Sequence, residues 1–153
     1  MGYNKKALID GVNGNTMQQQ SAGFREIEHT ADWEMQIWAP DFPGLLEQAA
    51  LGMYALAGAQ LAEKPRMKRT VQLSALDEES LLVSFLEELR YFGEMKGLAF
   101  DVFQIKVEGY QLDAELTGSA LLSVDKEIKA VTFHNLTVRN TERGIEASVV
   151  FDV

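Results

Sequence analysis

The sequence of 153 residues contains no cysteine. This absence excludes disulfide bonds, a thiolate nucleophile and cysteine-ligated zinc. It also makes a reducing compartment the default, so a cytoplasmic location is expected. Histidine is nearly absent as well, since only His29 and His134 are present. A catalytic triad therefore has few possible members.

Other common signals are also missing. No apolar run approaches the roughly 18 residues that a membrane-spanning helix needs, so no membrane association is expected. The N-terminal residues lack the apolar segment of a secretion signal. The glycine-rich phosphate-binding loops and the GxSxG nucleophile motif do not occur. The sequence thus carries no strong independent signature of an enzyme.

Positive charge is scarce: 14 basic residues stand against 23 acidic ones, for a net charge of −9. Neutralisation of phosphates supplies most of the affinity of proteins for nucleic acid. Tight independent binding to nucleic acid is therefore not expected, and any role near nucleic acid would be indirect, through a partner. An acidic protein can instead dock on a basic partner protein.

The N-terminal region differs in composition from the rest of the chain. Residues 1–22 are rich in Asn, Gln and Gly and are predicted to form a tail, either flexible or added by cloning. Met17 could be the natural first residue. Residues 23–153 are predicted to form a single domain.

Hydrophobic periodicity predicts a mixed domain. Alternating apolar residues predict strands, and helical spacing predicts two helices. The predicted strands are 24–28, 33–37, 69–73, 103–107, 112–116, 129–133, 136–139 and 145–151. One helix follows Asp41 and stops at Gly58, and another follows Asp77 and ends between Gly93 and Gly97. This order favours an α+β, two-layer domain in which two helices pack on one face of a mostly antiparallel sheet.

The second helix carries glutamates beside its apolar face. Its apolar residues recur at helical spacing from Leu81 to Leu89. Glu78, Glu79, Glu87 and Glu88 lie mostly away from that face and are expected to be solvated. The two tryptophans, Trp33 and Trp38, have opposite strand parity, so one is expected in the core and the other at the surface, where it could contact a partner.

Two aspartates near the ends of the domain are predicted to point away from the core. Asp32 precedes a strand whose apolar residues have the opposite parity, and Asp152 alternates with Phe151 in the last strand. If the two ends meet, these carboxylates and the terminal carboxylate of Val153 converge, as a hard cation requires. Spacing alone equally allows Asp32 to cap a turn and Asp152 to be a solvated terminal residue.

The histidines have open alternatives. His29, directly before Thr30-Ala31-Asp32, could bind zinc with His134 and a carboxylate, or could make a structural hydrogen bond. Lys129 and His134 could together contact phosphate or an acidic partner. They are equally compatible with a lysine at a sheet edge and a histidine in a turn.

Three segments in order resemble the archease family. They are 28–32 (Glu-His-Thr-Ala-Asp), 129–134 (Lys-Ala-Val-Thr-Phe-His) and 151–153 (Phe-Asp-Val). Between them, the helix ending in Ala49-Ala50, the segment 81–89 and Gly97-Leu98 also match. The resemblance covers about residues 24–153, and the three segments are specific in combination.

This resemblance implies an accessory protein and not a stand-alone enzyme. Archease-like proteins assist the RtcB-type RNA ligase of tRNA splicing and RNA repair, promoting its guanylylation and multiple turnover. The family's metal site falls on Asp32, Asp152 and Val153, and calcium is the ion implied. His29 is then expected to orient Asp32, and Lys129 and His134 to contact the ligase or its nucleotide.

Two other functions stay open on the residues alone. A metal-dependent phosphoesterase would use Asp32 and Asp152 to hold the ion and His134 as general acid or base. A chaperone-like interaction module would use the metal only structurally.

Overall fold

The structure, a computed structural model, describes residues 21–27 and 32–153. The elements are β1 (Gly23–Ile27), β2 (Trp33–Ala39), α1 (Phe42–Ala57), β3 (Gln60–Leu61), β4 (Met67–Ser74), α2 (Glu78–Tyr91), a π-helical turn (Phe92–Lys96), β5 (Leu98–Glu108), β6 (Gln111–Ser123), β7 (Ala130–Thr132), β8 (Arg139–Thr141) and β9 (Gly144–Asp152). All strand pairings in this part of the chain are antiparallel. The α+β class with two helices is confirmed.

The strands are divided between two sheets, a division that periodicity does not reveal. In the first sheet β1 pairs with β2 and β2 with β9, while β7 and β8 pair with successive parts of the other edge of β9. In the second sheet the long strand β6 pairs with β5, β4 and β3. The last strand of the chain is therefore central to the first sheet.

Local sequence explains the limits of α1. The Asp41 carboxylate accepts a hydrogen bond from the amide of Gly44 at 2.9 Å, which satisfies a free donor of the first turn. Gly58 ends the helix with a left-handed backbone (φ 67°), a conformation that other residues adopt at a cost. Both predicted ends are confirmed.

The predicted start of α2 is confirmed as well. Asp77 accepts a hydrogen bond from the amide of Ser80 at 2.7 Å. This bond to the charged form holds the pKa of Asp77 below its usual range. The helix passes into the π-helical turn at Phe92 and stops at Gly97, which also has a left-handed backbone (φ 64°).

The hydrophobic core joins both helices to both sheets. Helix α1 contacts β1, β2 and β9 of the first sheet and β5 of the second, while α2 contacts α1, β7 and β4. The largest fully buried side chains come from all these layers: Phe85, Phe100, Phe151, Met35, Ile37, Leu45, Leu46, Leu56, Leu81, Leu82 and Leu86. The amide of Phe100 also donates to the Tyr54 hydroxyl at 3.3 Å, which ties α1 to β5.

Some predicted elements differ from those observed. The strand predicted over residues 136–139 is wrong for most of its length, since β8 begins only at Arg139. The amide of Val138, just before β8, instead donates to the carboxylate of Glu79 in α2. The short strand β3 was not predicted. The predicted tail lies outside the described residues, except for residues 21 and 22.

Two glutamates of α2 hold the chain between β6 and β9. Glu87 accepts a hydrogen bond from the amide of Val131 in β7, and Glu79 accepts one from the amide of Val138 before β8, both at 2.8 Å. Arg90 donates to the other oxygen of Glu87 at 2.8 Å. The expectation of a solvated glutamate face is wrong for these two residues. Charge-assisted bonds of this kind satisfy amides that no neighbouring strand reaches.

In residues 21–27 and 32–153, no helix has the length and apolarity needed to cross a membrane.

Replacing Glu87 by Ala should destabilise the protein by about 1.5–3 kcal/mol, because it leaves the Val131 amide without its charged acceptor. The amide of Val131 should then exchange its proton faster. Chemical denaturation and amide hydrogen exchange measure the two effects. Glu88→Ala, one residue further along the same helix, is the matched control and should change little. Equal destabilisation by the two substitutions would contradict the role of Glu87.

Replacing Gly58 by Ala should cost more stability than replacing Gly97 by Ala. Both glycines have a left-handed backbone, which costs an alanine about 1–2 kcal/mol. A Cβ atom at Gly58 would lie 2.3 Å from the carboxylate of Asp125, whereas at Gly97 it would meet nothing within 4 Å. Denaturant titration measures the free energy of unfolding of both variants. Because the backbone cost is common to both, the difference between them gives the steric cost at Gly58. Equal losses would show that Asp125 moves aside freely.

Candidate functional site

The pairing of β2 with β9 brings the two predicted aspartates to the same end of the first sheet. Trp33 lies opposite Phe151 in this antiparallel register. Extending the register by one residue sets Asp32 opposite Asp152, and directly opposed residues have Cβ atoms about 4.5–5.5 Å apart. Both aspartates are exposed. The register therefore places two aspartates on neighbouring strands at the rim of the sheet.

Alternation along the strands sets the side on which these carboxylates lie. Met35, Ile37 and Val149 are buried against the helices. Residues of the opposite parity form the solvent side of the first sheet, here called the outer face. Asp32 and Asp152 both have that parity, in agreement with the sequence prediction.

The third predicted ligand, Val153, is fixed by β7 and the core. The amide of Lys129 donates to the Asp152 carbonyl at 2.7 Å, and Ala130 lies opposite Asp152. The Val153 side chain packs against the hydrophobic core. These contacts hold the backbone at Asp152 and Val153 in place.

The donor set suits a hard cation. Two side-chain carboxylates and a terminal carboxylate present only oxygen atoms, which calcium and magnesium prefer. Among the described residues, no three side chains of His, Cys, Asp or Glu cluster closely enough to hold a metal ion. A metal at this rim therefore requires the terminal carboxylate or further ligands from elsewhere.

The structure separates Lys129 from His134. Lys129 precedes β7, beside the carboxylate end of β9, whereas His134 follows β7 in a turn. Five residues of extended chain span about 16 Å. The amide of His134 donates to the Thr132 hydroxyl, and Nε2 of His134 lies 3.2 Å from Nδ2 of Asn135. The joint phosphate site of Lys129 and His134, and general acid–base catalysis by His134, stay predictions. His29 lies outside the described residues.

At the end of the outer face opposite the two aspartates, an arginine lies beside a tryptophan. Trp38 is half-buried there, with the guanidinium of Arg25 5.9 Å from its ring centre. Trp33 instead packs against the core. Both tryptophans are half-buried, so the prediction of one core and one surface tryptophan is confirmed only for the core contact of Trp33.

Sequence reasoning missed the groups that support the rim. Glu87 orders β7, and β7 in turn hydrogen-bonds the Asp152 backbone. No local pattern distinguishes Glu87 from its neighbour Glu88. A related residue is Phe133, an aromatic side chain 56% exposed at the end of β7. Whether an aromatic side chain at the end of a strand is exposed depends on tertiary packing, so the apolar alternation of β7 does not predict it.

Comparison with known proteins gives consistent results. The sequence profile of the Archease protein family (MTH1598/TM1083) matches residues 24–153. A protein archease of Methanosarcina mazei is 33% identical over 147 residues, covering 90% of this chain and all of the relative. A protein archease of Thermococcus gammatolerans is 32% identical over 129 residues, covering 79% and 91%.

Solved structures show the same fold. The solution structure of Methanobacterium thermoautotrophicum protein 1598 superposes with a TM-score of 0.64 at 25% identity, covering 86% of this chain and 99% of that one. The crystal structure of a Thermotoga maritima archease, described as a possible chaperone, gives 0.63 at 26% identity, covering 83% and 94%. From the profile, the relatives and the shared fold, this chain belongs to the archease family.

Proposed function

We propose that this chain is an accessory protein that activates an RtcB-type RNA ligase in tRNA splicing or RNA repair. It would promote guanylylation of the ligase and allow multiple turnover. Membership of the archease family supports the partner. The observation that carries the mechanism is the β2–β9 register, which sets Asp32 opposite Asp152 at the chain terminus. A cytoplasmic location accords with this role.

The rim is proposed to bind a divalent cation, with calcium as the first candidate. Asp32 and Asp152 would supply side-chain oxygens, and Val153 a main-chain or terminal oxygen. Calcium takes six to eight oxygen ligands, so water or the ligase would complete the site. A bound cation at this position would neutralise phosphate oxygens of the nucleotide as the ligase reacts.

The exposure of the rim favours action on a partner over independent catalysis. Asp152 is exposed, and the strand end projects its carboxylate away from the core. An exposed rim of this kind can enter the active site of another protein. Lys129, beside Asp152, would contact phosphate or an acidic group there. His134 and Phe133, beyond β7, would contact the ligase surface, and His29 would orient Asp32.

A chaperone-like interaction module is a second candidate, favoured by a separate observation. A mostly apolar cavity of about 350 Å³ opens between the C-terminal ends of the two helices. Its walls include Met53, Leu89 and Leu121, and the exposed side chains of Met95 and Leu122 flank it in sequence. Exposed apolar surface of this kind is typical of protein-binding sites.

Asp32→Ala should abolish most of the stimulation of the ligase. Substitution of a residue that only supports a metal ligand lowers metal affinity or activity by about 10–100-fold. Loss of a direct ligand should therefore lower the stimulation by about tenfold or more. The measurement is multiple-turnover RNA joining by the cognate ligase, with and without the protein. Asp113→Ala, an exposed aspartate of β6 in the second sheet, is the control and should stimulate like the wild type.

The same assay separates the candidates. No stimulation by the wild-type protein would refute the activator role. If Asp32→Ala stimulates fully, the ligase is still the partner but the metal has no role in stimulation, as expected for an interaction module. Release of phosphate from simple esters without the ligase would identify a phosphoesterase instead.

Adding several residues after Val153 should weaken calcium binding by about tenfold or more, because the terminal carboxylate would become a neutral amide carbonyl. Isothermal titration calorimetry with calcium measures the change. The same residues added before Met1 serve as the control, and Asp152→Asn should weaken binding in the same way. Unchanged affinity after the C-terminal extension would exclude the terminal carboxylate as a ligand.

A further inference from the structure

The apolar cavity of about 350 Å³ at the C-terminal ends of the helices is bounded by three separate parts of the chain. Helix α1 contributes Met53 and Tyr54, and α2 contributes Leu89. The end of β6 contributes Leu121, and the segment after it contributes Ile128. A volume of this size, with mostly apolar walls, falls in the range of about 300–1,000 Å³ that is typical of small-molecule sites.

A glycine in the π-helical turn keeps part of the cavity empty. Gly93 lines the cavity, and its φ is not positive, so its backbone also suits other residues. A Cβ atom at Gly93 would lie 3.5 Å from Cδ2 of Leu121 and 3.7 Å from the carbonyl oxygen of Leu98, which are ordinary contact distances. A larger side chain at Gly93 could therefore enter the cavity. π-Helical turns within helices are frequent at functional sites.

Backbone hydrogen bonds hold the segment after β6 against the end of α1. The amides of Asp125 and Lys126 both donate to the carbonyl of Ala57, at 2.8 and 3.1 Å. Ile128, further along the same segment, is buried. The wall that this segment contributes is therefore formed before any ligand arrives. A site that is already ordered loses less conformational entropy on binding.

Charged side chains of both signs lie at the exposed edge of the cavity. Nε of Arg90 donates to Glu87 at 2.8 Å, and its Nη1 lies 3.7 Å from Glu94. Lys126 and Glu127 are exposed neighbours of opposite charge. Neither sign of charge dominates this edge. An ionic ligand would lose its hydration in the apolar interior without gaining a counter-charge there.

The aromatic wall of the cavity is uncharged as well. Tyr54 lines the cavity, and its hydroxyl accepts a hydrogen bond from the amide of Phe100 at 3.3 Å. Burial raises the pKa of Tyr54 above its usual range, so the phenol stays neutral. The walls thus offer mainly dispersion contacts, which favour an apolar ligand.

We propose that this cavity binds a small, uncharged and largely apolar molecule. The size of the cavity, its apolar walls and the balanced charges at its edge support this class of ligand. The lining residues that the structure describes all lie outside the first sheet. Binding here is therefore independent of the carboxylate rim and of the activator role.

Fluorescence titration of the full-length protein with N-phenyl-1-naphthylamine tests the proposal, because this uncharged probe emits strongly only in apolar surroundings. The wild type should bind it saturably at one site. 8-Anilinonaphthalene-1-sulfonate has the same rings and an added negative charge. It should bind about tenfold more weakly or worse, since the sulfonate would have to lose its hydration.

A pair of leucine substitutions places the bound probe. Gly93→Leu should fill the cavity and weaken binding of the uncharged probe by about tenfold or more. Ala120→Leu introduces the same side chain at an exposed position of β6 that does not line the cavity, and it should bind within about twofold of the wild type. Circular dichroism checks the fold of both variants. If Gly93→Leu does not fold, the comparison of the two probes on the wild type still decides the outcome.

The proposal is overturned if the uncharged probe does not saturate, if the sulfonate binds as tightly, or if the two leucine substitutions weaken binding equally. Analytical ultracentrifugation excludes another occupant. If the wild type sediments as a dimer that Gly93→Leu dissociates, the cavity holds a second copy of this chain and the proposal is overturned. The calcium titration and the ligation assay do not involve the cavity, so a failure here is distinct from a failure of the activator role.

Discussion

The antiparallel register between β2 and β9 is the constraint on which the rest of the structure depends. It joins the start of the folded region to the chain terminus and pairs seven residues on each strand. Because side chains alternate along a strand, a shift of one residue would turn Phe151 and Val149 to solvent and Asp152 into the core. Burial of Met35, Ile37 and Phe151 therefore sets the register. The same burial directs Asp32 and Asp152 outward.

The first sheet is supported from its second edge by ionic contacts. Glu87 accepts from the Val131 amide, and β7 then pairs with the last three residues of β9. A carboxylate, an arginine and an edge strand thus form a chain of contacts from α2 to the terminal residues. This arrangement explains how a strand of only three residues keeps its place. It also connects the helical layer to the proposed metal ligands without any direct contact between them.

The outer face combines two opposite charges on one surface. Its carboxylate end suits a cation, while its other end brings two arginines and a tryptophan together. About 20 Å of β9 separates the two ends. Few side chains between them are apolar, and the Ser148 hydroxyl there donates to the Glu34 carboxylate.

The sequence by itself determined the element types, both helix caps and the parity of the two aspartates. These features depend on residues that are close in sequence. The Asp41 carboxylate accepts from an amide three residues on, Gly58 adopts a left-handed backbone, and apolar and polar residues alternate after Asp32. Recognition of the family came from three short segments. The register that sets Asp32 opposite Asp152 depends on strand pairing across more than a hundred residues, which only the tertiary structure decided. The tertiary structure likewise brought Glu79 and Glu87 to backbone amides, and brought Arg25 and Arg143 into one cleft. Each of these results depends on long-range packing, for which adjacent residues carry no signal.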